Sequence, residues 1–451
     1  MAETVVIAGG TLIDGTGAEP RPNEGVVITD DSIVSVGAEG VAALNGAPVR
    51  RIDATGKTVM PGLIDVHTHL SFGNPTGNDE LFFHRTHGYS AILAAYHARK
   101  VLRAGVTSIL DPDCLWNLAV DMRDAVANNI VEGPRVASGG QALMTTLGGT
   151  AGRLVKDAGP TGYATVVNGR EEIVAEIRRQ IKWGVDWIKI MVTGLIPSQR
   201  GPEVKVWTYD ELKLAVDTAH ELNTKVVAHC RNSVSTLEAA RAGVDLIFHA
   251  SYADDEALEA VIESGAVLAP TFTLLGNLAD FGEKVGTAPE LLSVFRAEMT
   301  ETARMLSKAH QAGVRLVCGS EFGFAITPYG EWHAREMEML VDYVGLSPLE
   351  AITCGTRNGA FAMRMDGQIG TVEPGARADV LVVDGDPIAD IRVLQRPEAI
   401  SEIISRGRRL DLSVPIPERR IGSEEQVRFL AERELTRELA FADGGKVAAA
   451  R

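Results

Sequence analysis

The chain has 451 residues, 45% of them apolar and 23% charged, enough for one large folded domain plus a smaller one. Its 60 Asp and Glu against 44 Lys and Arg leave a net charge of −16, which makes it a poor general binder of nucleic acid or anionic membrane. Four widely spaced cysteines without a Cys-x-x-Cys pair, no basic start leading into an apolar segment, and no apolar stretch long enough to span a bilayer predict a cytoplasmic protein with reduced thiols.

Residues 1–60 read as short strands broken by Gly, Asp and Asn, as in "TVVIAGGTLIDG" and "GVVITDDSIVSVG". The same texture returns in "ADVLVVDGDP" and "AISEIISRGRRL" near the other end. Both ends are therefore expected to build one small β domain, a β-sandwich from residues 1–61 and 365–415. The middle, 62–364, alternates. Candidate strands are "GLIDVHTHL", "VTSILD", "RVASGG", "DWIKIMV", "TKVVAHC", "LIFHA", "VLAPTFT" and "VRLVCGSE". Between most of them lie helical patterns such as "GREEIVAEIRRQIKWG" and "YDELKLAVDTAHELN". Eight strands with intervening helices predict an α/β fold, a (β/α)8 TIM barrel. A long Gly-rich loop, "GGQALMTTLGGTAGRLVKDAGPTGYA", follows the third strand, and loops of that length are usually functional. The tail, 416–451, reads as a charged helix plus a frayed end that could pack on a neighbouring subunit.

Barrel enzymes carry their chemistry at the C-terminal ends of the strands. Here those positions hold His67 and His69, then Lys189, His229, His249 and Glu321. In a strand, residues two apart share a face, so His67 and His69 offer two nitrogen lone pairs to one point, as a divalent metal requires. The simpler account is two polar residues where a strand meets a loop. Lys189 sits between Ile188 and Ile190, and a buried ammonium is costly unless paired. Either it pairs with a carboxylate such as Glu321, or its neutral amine has taken up CO2 as a carbamate able to bridge two metals. His229 and His249 could each be a satisfied core histidine, but the joint pattern favours ligands.

These positions resemble the metal-dependent amidohydrolase superfamily. The likeness rests on "PGLIDVHTH", Lys189 in "DWIKI", His229 in "VVAHC", His249 in "DLIFHAS", Glu321, and "GTVEPGARADVLVVDGDP" in the closing β segment. It covers nearly the whole chain. It is strongest toward the branch of amidohydrolase-type Xaa-Pro dipeptidases, ochratoxinases, and phenylurea and molinate hydrolases. The resemblance implies that His67 and His69 bind the more buried of one or two divalent ions, which would be zinc, cobalt, manganese or iron. It implies a carbamate on Lys189 as bridge, with His229 and His249 on the second ion. The family's strand-eight acid, a ligand of the first ion, is Asp; carried over, that ligand is Glu321, longer by one methylene, about 1.5 Å. The loop after strand three holds Thr150 where the family pattern has a histidine.

The implied reaction is hydrolysis of an amide, urea or carbamate C–N bond. The metals would activate water, and Glu321 would accept its proton and pass it to the leaving nitrogen, with His249 the alternative shuttle. A dipeptide or N-acyl amino acid needs a basic residue for its carboxylate, and Arg231 and Arg153 are candidates. Trp116, Trp207, Phe272, Phe322 and Phe324 suit an uncharged N-aryl substrate instead. Tyr252 either donates to substrate or packs a loop. His84, His87 and His97 read as structural. Two rival readings are a one-metal deaminase of the same superfamily, against which "HCRNSV" has no nearby acid, and a non-catalytic assembly protein. The expected partner is a small-molecule substrate, and the expected state a homo-oligomer.

Overall fold

The computed structural model describes residues 4–75, 85–148, 155–194, 203–419, 431 and 433–442. Strands from both ends of the chain meet in one eight-stranded sheet. Val380–Val383 lies antiparallel to Thr58–Pro61, which stitches the closing segment onto the opening one. Val5, Ile7, Val26, Ile28, Val380 and Val382 form the apolar core of this sheet. Each is β-branched and stands two residues from its partner on the same strand, so the set shares one face of the sheet.

Between the two ends run parallel strands: β1 (Leu63–Asp65), β2 (Val106–Asp111), β3 (Arg135–Ser138), β4 (Trp187–Met191), β5 (Lys225–Cys230), β6 (Leu246–His249) and β7 (Val267–Ala269). β1, β2 and β3 pair in order, and so do β4 to β7. Asp186 N donates to Ser138 O at 2.7 Å, carrying the ring from β3 to β4. These strands are continuous apolar runs because helices cover one face and the ring interior the other. The helices supply the matching stripe. Leu212, Ala215, Val216 and Ala219 are buried along Tyr209–Glu221, a helix started by a Thr208–Glu211 capping box. Gly243 and Gly265 end two further helices in the left-handed conformation at φ 94° and 70°. The arrangement is an α/β fold of TIM-barrel type.

Three expectations change. The Gly-rich loop after β3 contains short strands, Ala142–Met144, Gly159–Thr161 and Ala164–Val166, that extend the β4–β7 sheet. At three residues each they are too short to show a period in sequence. "VLAPTFT" stops being strand at Ala269, because Pro270 has no N–H to donate and Thr271 turns left-handed at φ 60°. "VRLVCGSE" is no ladder strand, although it occupies the eighth place. Val317 N donates to Leu268 O at 3.0 Å, and on the other side Val66 N donates to Cys318 O at 2.9 Å. Of the tail, the described part holds one short helix, Arg437–Phe441. No helix among the described residues is long and apolar enough to cross a membrane.

Candidate metal centre

His67 and His69 lie just beyond β1, with ring centroids 5.2 Å apart. Thr68 points the other way and donates its hydroxyl to Leu110 O at 2.7 Å, so the alternation predicted for a strand persists past its last ladder pair. Aromatic rings hold both imidazoles: His67 stacks on Phe248 at 3.8 Å and His69 on Phe72 at 4.2 Å. One nitrogen of each ring is engaged. His67 Nδ1 lies 3.0 Å from Thr271 Oγ1, and His69 Nδ1 lies 3.1 Å from the backbone oxygen of Asp113. Such contacts orient an imidazole and leave its other nitrogen for a ligand.

His249, at the end of β6, stands 5.4 Å from the His67 ring and 4.4 Å from the His229 ring. Neither nitrogen of His249 has a hydrogen-bond partner among the described residues, and the side chain is buried. His229 faces the same pocket, but its Nε2 is 2.7 Å from Gly194 O. Lys189 is 0% exposed, with its ammonium 4.3 Å from the Phe248 ring centroid. The carboxylate nearest to it among the described residues is that of Asp113, Oδ1 at 3.6 Å, rather than that of Glu321. Burial pulls the Lys189 pKa down, against the pull of Asp113 and Glu321. Burial likewise holds His67, His229 and His249 well below the usual imidazole range and His69 at about 4. All four are then neutral, the form in which imidazole binds metal.

Glu321 completes the ring of strand ends. Its N–H donates to His67 O at 2.7 Å, and its side chain is partly accessible from the pocket. Burial pushes its carboxyl up to about 7, against the opposing pull of Arg231 and Lys189. His249, Thr271 and Glu321 all have left-handed backbones, at φ 67°, 60° and 56°. For residues with a Cβ this conformation costs on the order of 1–3 kcal/mol each, and such strain gathers where geometry serves a site.

Two groups could hold an ion: His67, His69 and Asp113, and His67, His249 and Glu321. Within each group the donor atoms lie within 4.8 Å of one another. Asp113 Oδ1, Lys189 Nζ and both nitrogens of His249 are buried without a hydrogen bond. Native proteins seldom leave such atoms unsatisfied. Asp113 and Lys189 line one pocket and His249 stands beside the His67 and His229 that line it, and nitrogen and carboxylate donors suit a divalent transition metal, so the residues fit such an ion. Asp113 was missed in the sequence. Its signal was present in "LDPD", where an acid two residues past the end of β2 repeats the spacing of His-x-His.

The rest of the wall is apolar and aromatic: Phe72, Tyr163, Leu274, Leu278, Phe295 and Phe324. Of the aromatics expected to meet substrate, Phe324 alone lines this pocket. Trp207 donates to Met191 O at 2.8 Å, and Trp116 packs against His87 with ring centroids 3.8 Å apart and the planes tilted by 35°. His97 is buried against Tyr329 at 3.8 Å, a packing role as expected. Arg231 lines the pocket, but its guanidinium is already engaged by Glu298, with Nε 3.1 Å from Oε1 and Nη2 2.5 Å from Oε2. Tyr252 is 41% exposed and is not part of the pocket wall, because the chain turns outward at φ 56°. His84, Thr150 and Arg153 lie outside the described residues.

A barrel-type fold with metal-capable residues at the C-terminal strand ends defines a class of hydrolytic enzymes. The chain belongs to the amidohydrolase family, whose profile matches residues 58–410. It is 30% identical to an ochratoxinase of Aspergillus niger over 433 residues, covering 90% of this chain and 86% of that protein. Among solved structures, it is similar to a prolidase complexed with N-methylphosphonate-L-proline, at 29% identity and TM-score 0.79, covering 90% of this chain and 99% of the other. It is also similar to a Xaa-Pro dipeptidase with bound methionine in the active site, at 26% identity and TM-score 0.76, covering 91% and 100%. The protein is thus an enzyme, a hydrolase acting on carbon–nitrogen bonds.

Proposed function

We propose that the protein hydrolyses an amide, urea or carbamate C–N bond of a small molecule with an apolar or aromatic acyl or aryl group, using one or two divalent ions. The observation that carries this reading is the gathering of His67, His69, His229, Lys189 and Glu321 around one largely apolar pocket, with His249 packed beside His67 and His229 and buried polar atoms left unsatisfied among the described residues. His67 and His69 would hold the more buried ion, and His229 and His249 the second. When bound, such ions lower the pKa of a water and polarise the substrate carbonyl. The neutral Lys189 amine would add to CO2 and release a proton, and the resulting carbamate would bridge the ions.

Glu321 is the proton carrier in this reading. Its carboxylate takes the proton from water and gives it to the leaving nitrogen, while His249 serves as a ligand. Phe72, Phe295 and Phe324 exclude water from the substrate's apolar end. The engagement of Arg231 by Glu298 supports a substrate whose recognition does not depend on a free guanidinium, which favours an uncharged N-aryl substrate over a carboxylate-bearing dipeptide or N-acyl amino acid. The reading also includes a closed barrel over 62–364 whose eighth place is taken by the "VRLVCGSE" segment, a β-sandwich from 1–61 and 365–415, a tail over 416–451, and a cytoplasmic homo-oligomer. Four unpaired, buried cysteines support the reducing compartment.

The test is metal analysis of the purified protein alongside hydrolysis of N-acyl amino acids, Xaa-Pro dipeptides and N-aryl ureas. One to two ions per chain are expected, with turnover of at least one of these classes. His67→Ala should lower metal content and abolish that turnover. Full activity in metal-free protein would overturn the reading.

A further inference from the structure

We propose that His333 is a positioning residue of this enzyme: through the buried carboxylate of Asp65 it fixes where Glu321 stands in the site. The inference rests on the hydrolytic reading above, in which Glu321 moves the proton, and adds to it a residue outside the pocket wall.

The fold creates the need for such a device. His229 and His249 stand in strands paired within a sheet, and His67 follows one directly. Glu321 ends the segment at the eighth place, which has no ladder of its own. Its backbone is also left-handed at φ 56°, a conformation that persists in a residue with a Cβ only where the surroundings impose it.

Asp65 supplies the restraint. It is the last residue of β1, it is 3% exposed, and its carboxylate collects four donors. Oδ1 accepts from His67 N at 3.3 Å and from Ser320 N at 2.9 Å. Oδ2 accepts from Ser320 Oγ and from His333 Nδ1 at 2.9 Å. One carboxylate therefore ties the residue before Glu321 to the backbone of His67. Glu321 N donates to His67 O at 2.7 Å, which closes the link from the other side.

His333 holds this carboxylate in place. Gly330 N lies 3.1 Å from His333 Nε2, and a backbone N–H can only donate, so Nε2 accepts and the ring proton sits on Nδ1, aimed at Asp65. The ring also packs edge-on against Phe322, with centroids 4.4 Å apart. His333 thus braces Ser320 through Asp65 and touches Phe322 directly, the two residues on either side of Glu321. A proton carrier must meet both the water and the leaving nitrogen, and a misplacement of about 1 Å can cost about 100-fold in rate.

The experiment compares wild type, His333→Gln, His333→Asn and Ser320→Ala on whichever of the N-acyl amino acids, Xaa-Pro dipeptides and N-aryl ureas the wild type hydrolyses. The side-chain nitrogen of Asn falls where Nδ1 stood and that of Gln where Nε2 stood, so Asn keeps the donor to Asp65 and Gln moves it away. His333→Gln should lower kcat about 10- to 100-fold, with KM within about 3-fold and metal content kept. It should also speed hydrogen exchange over residues 318–324 and leave that of the Tyr209–Glu221 helix unchanged. His333→Asn should keep native exchange and hold kcat within about 3-fold of wild type. Ser320→Ala cuts the same tether from its other end and should repeat the His333→Gln pattern at smaller size. Equal losses in the Asn and Gln variants would show that the ring acts only by packing on Phe322, and the inference fails. Wild-type kcat in both His333→Gln and Ser320→Ala, beside an active wild type, sinks the inference alone. A wild type that hydrolyses none of the three classes would overturn the parent reading and the inference with it.

Discussion

Desolvation pushes the carboxyls of both Glu321 and Glu336 up to about 7, although Glu321 is only half-buried. Their surroundings differ completely. Glu336 is 0% exposed and receives hydrogen bonds from Phe272 N (2.9 Å), Thr273 N (2.7 Å) and Thr273 Oγ1 (2.7 Å). It closes the start of the Phe272–Phe281 helix, whose first N–H groups lack partners within the helix. Glu321 receives no side-chain hydrogen bond among the described residues, and it opens onto the pocket between Lys189 and Arg231. A perturbed carboxyl marks burial in both cases. The absence of dedicated donors is what separates a group available for chemistry from one that holds the fold.

Four changes would break or sharpen that contrast. Lys189→Ala should remove nearly all activity, with partial rescue by added metal and short carboxylates. Glu321→Gln keeps the shape but loses the proton acceptor, so kcat should fall by about 10²–10⁴ with metal content kept. Near wild-type turnover would show that another group, such as His249, moves the proton. Glu336→Ala should do the reverse. Each donor it orphans costs on the order of 1–3 kcal/mol, so chemical denaturation should show several kcal/mol lost, with kcat of the folded enzyme changed less than about 10-fold.

The smallest effect concerns pH. Glu336 has a folded pKa of about 7 against 4.5 for the free side chain, so between these values the folded protein holds a proton that the unfolded chain has released. Its neutral form therefore contributes stability that is complete below about pH 4.5 and is lost as pH rises to about 7. Glu336→Gln should flatten the stability profile across that window by at most about 3 kcal/mol, whatever constant loss it adds. An unchanged slope would mean that Glu336 titrates alike in both states.

Much of the site was legible because its residues stand at strand ends and interrupt apolar runs: His67 and His69 after "LIDV", Lys189 inside "WIKIM", and His229 and His249 closing their strands. Asp113 was harder to see because "LDPDC" looks like an ordinary Asp-Pro turn. The engagement of Arg231 was invisible, since its partner Glu298 lies far along the chain on another helix. Tyr252 misled because proximity in sequence to His249 does not survive a left-handed turn.

By itself the sequence determined the order of elements, the order of the candidate ligands and the departure of Glu321 from the usual acid. These follow from local pattern: apolar period, turn residues and spacing within one strand. The tertiary structure alone decided the partnerships, namely Asp113 beside Lys189, Glu298 on Arg231 and three donors on Glu336. Such contacts join residues from different strands and helices, and the strength of a buried charge pair depends on distance and local dielectric, which no single segment of chain specifies.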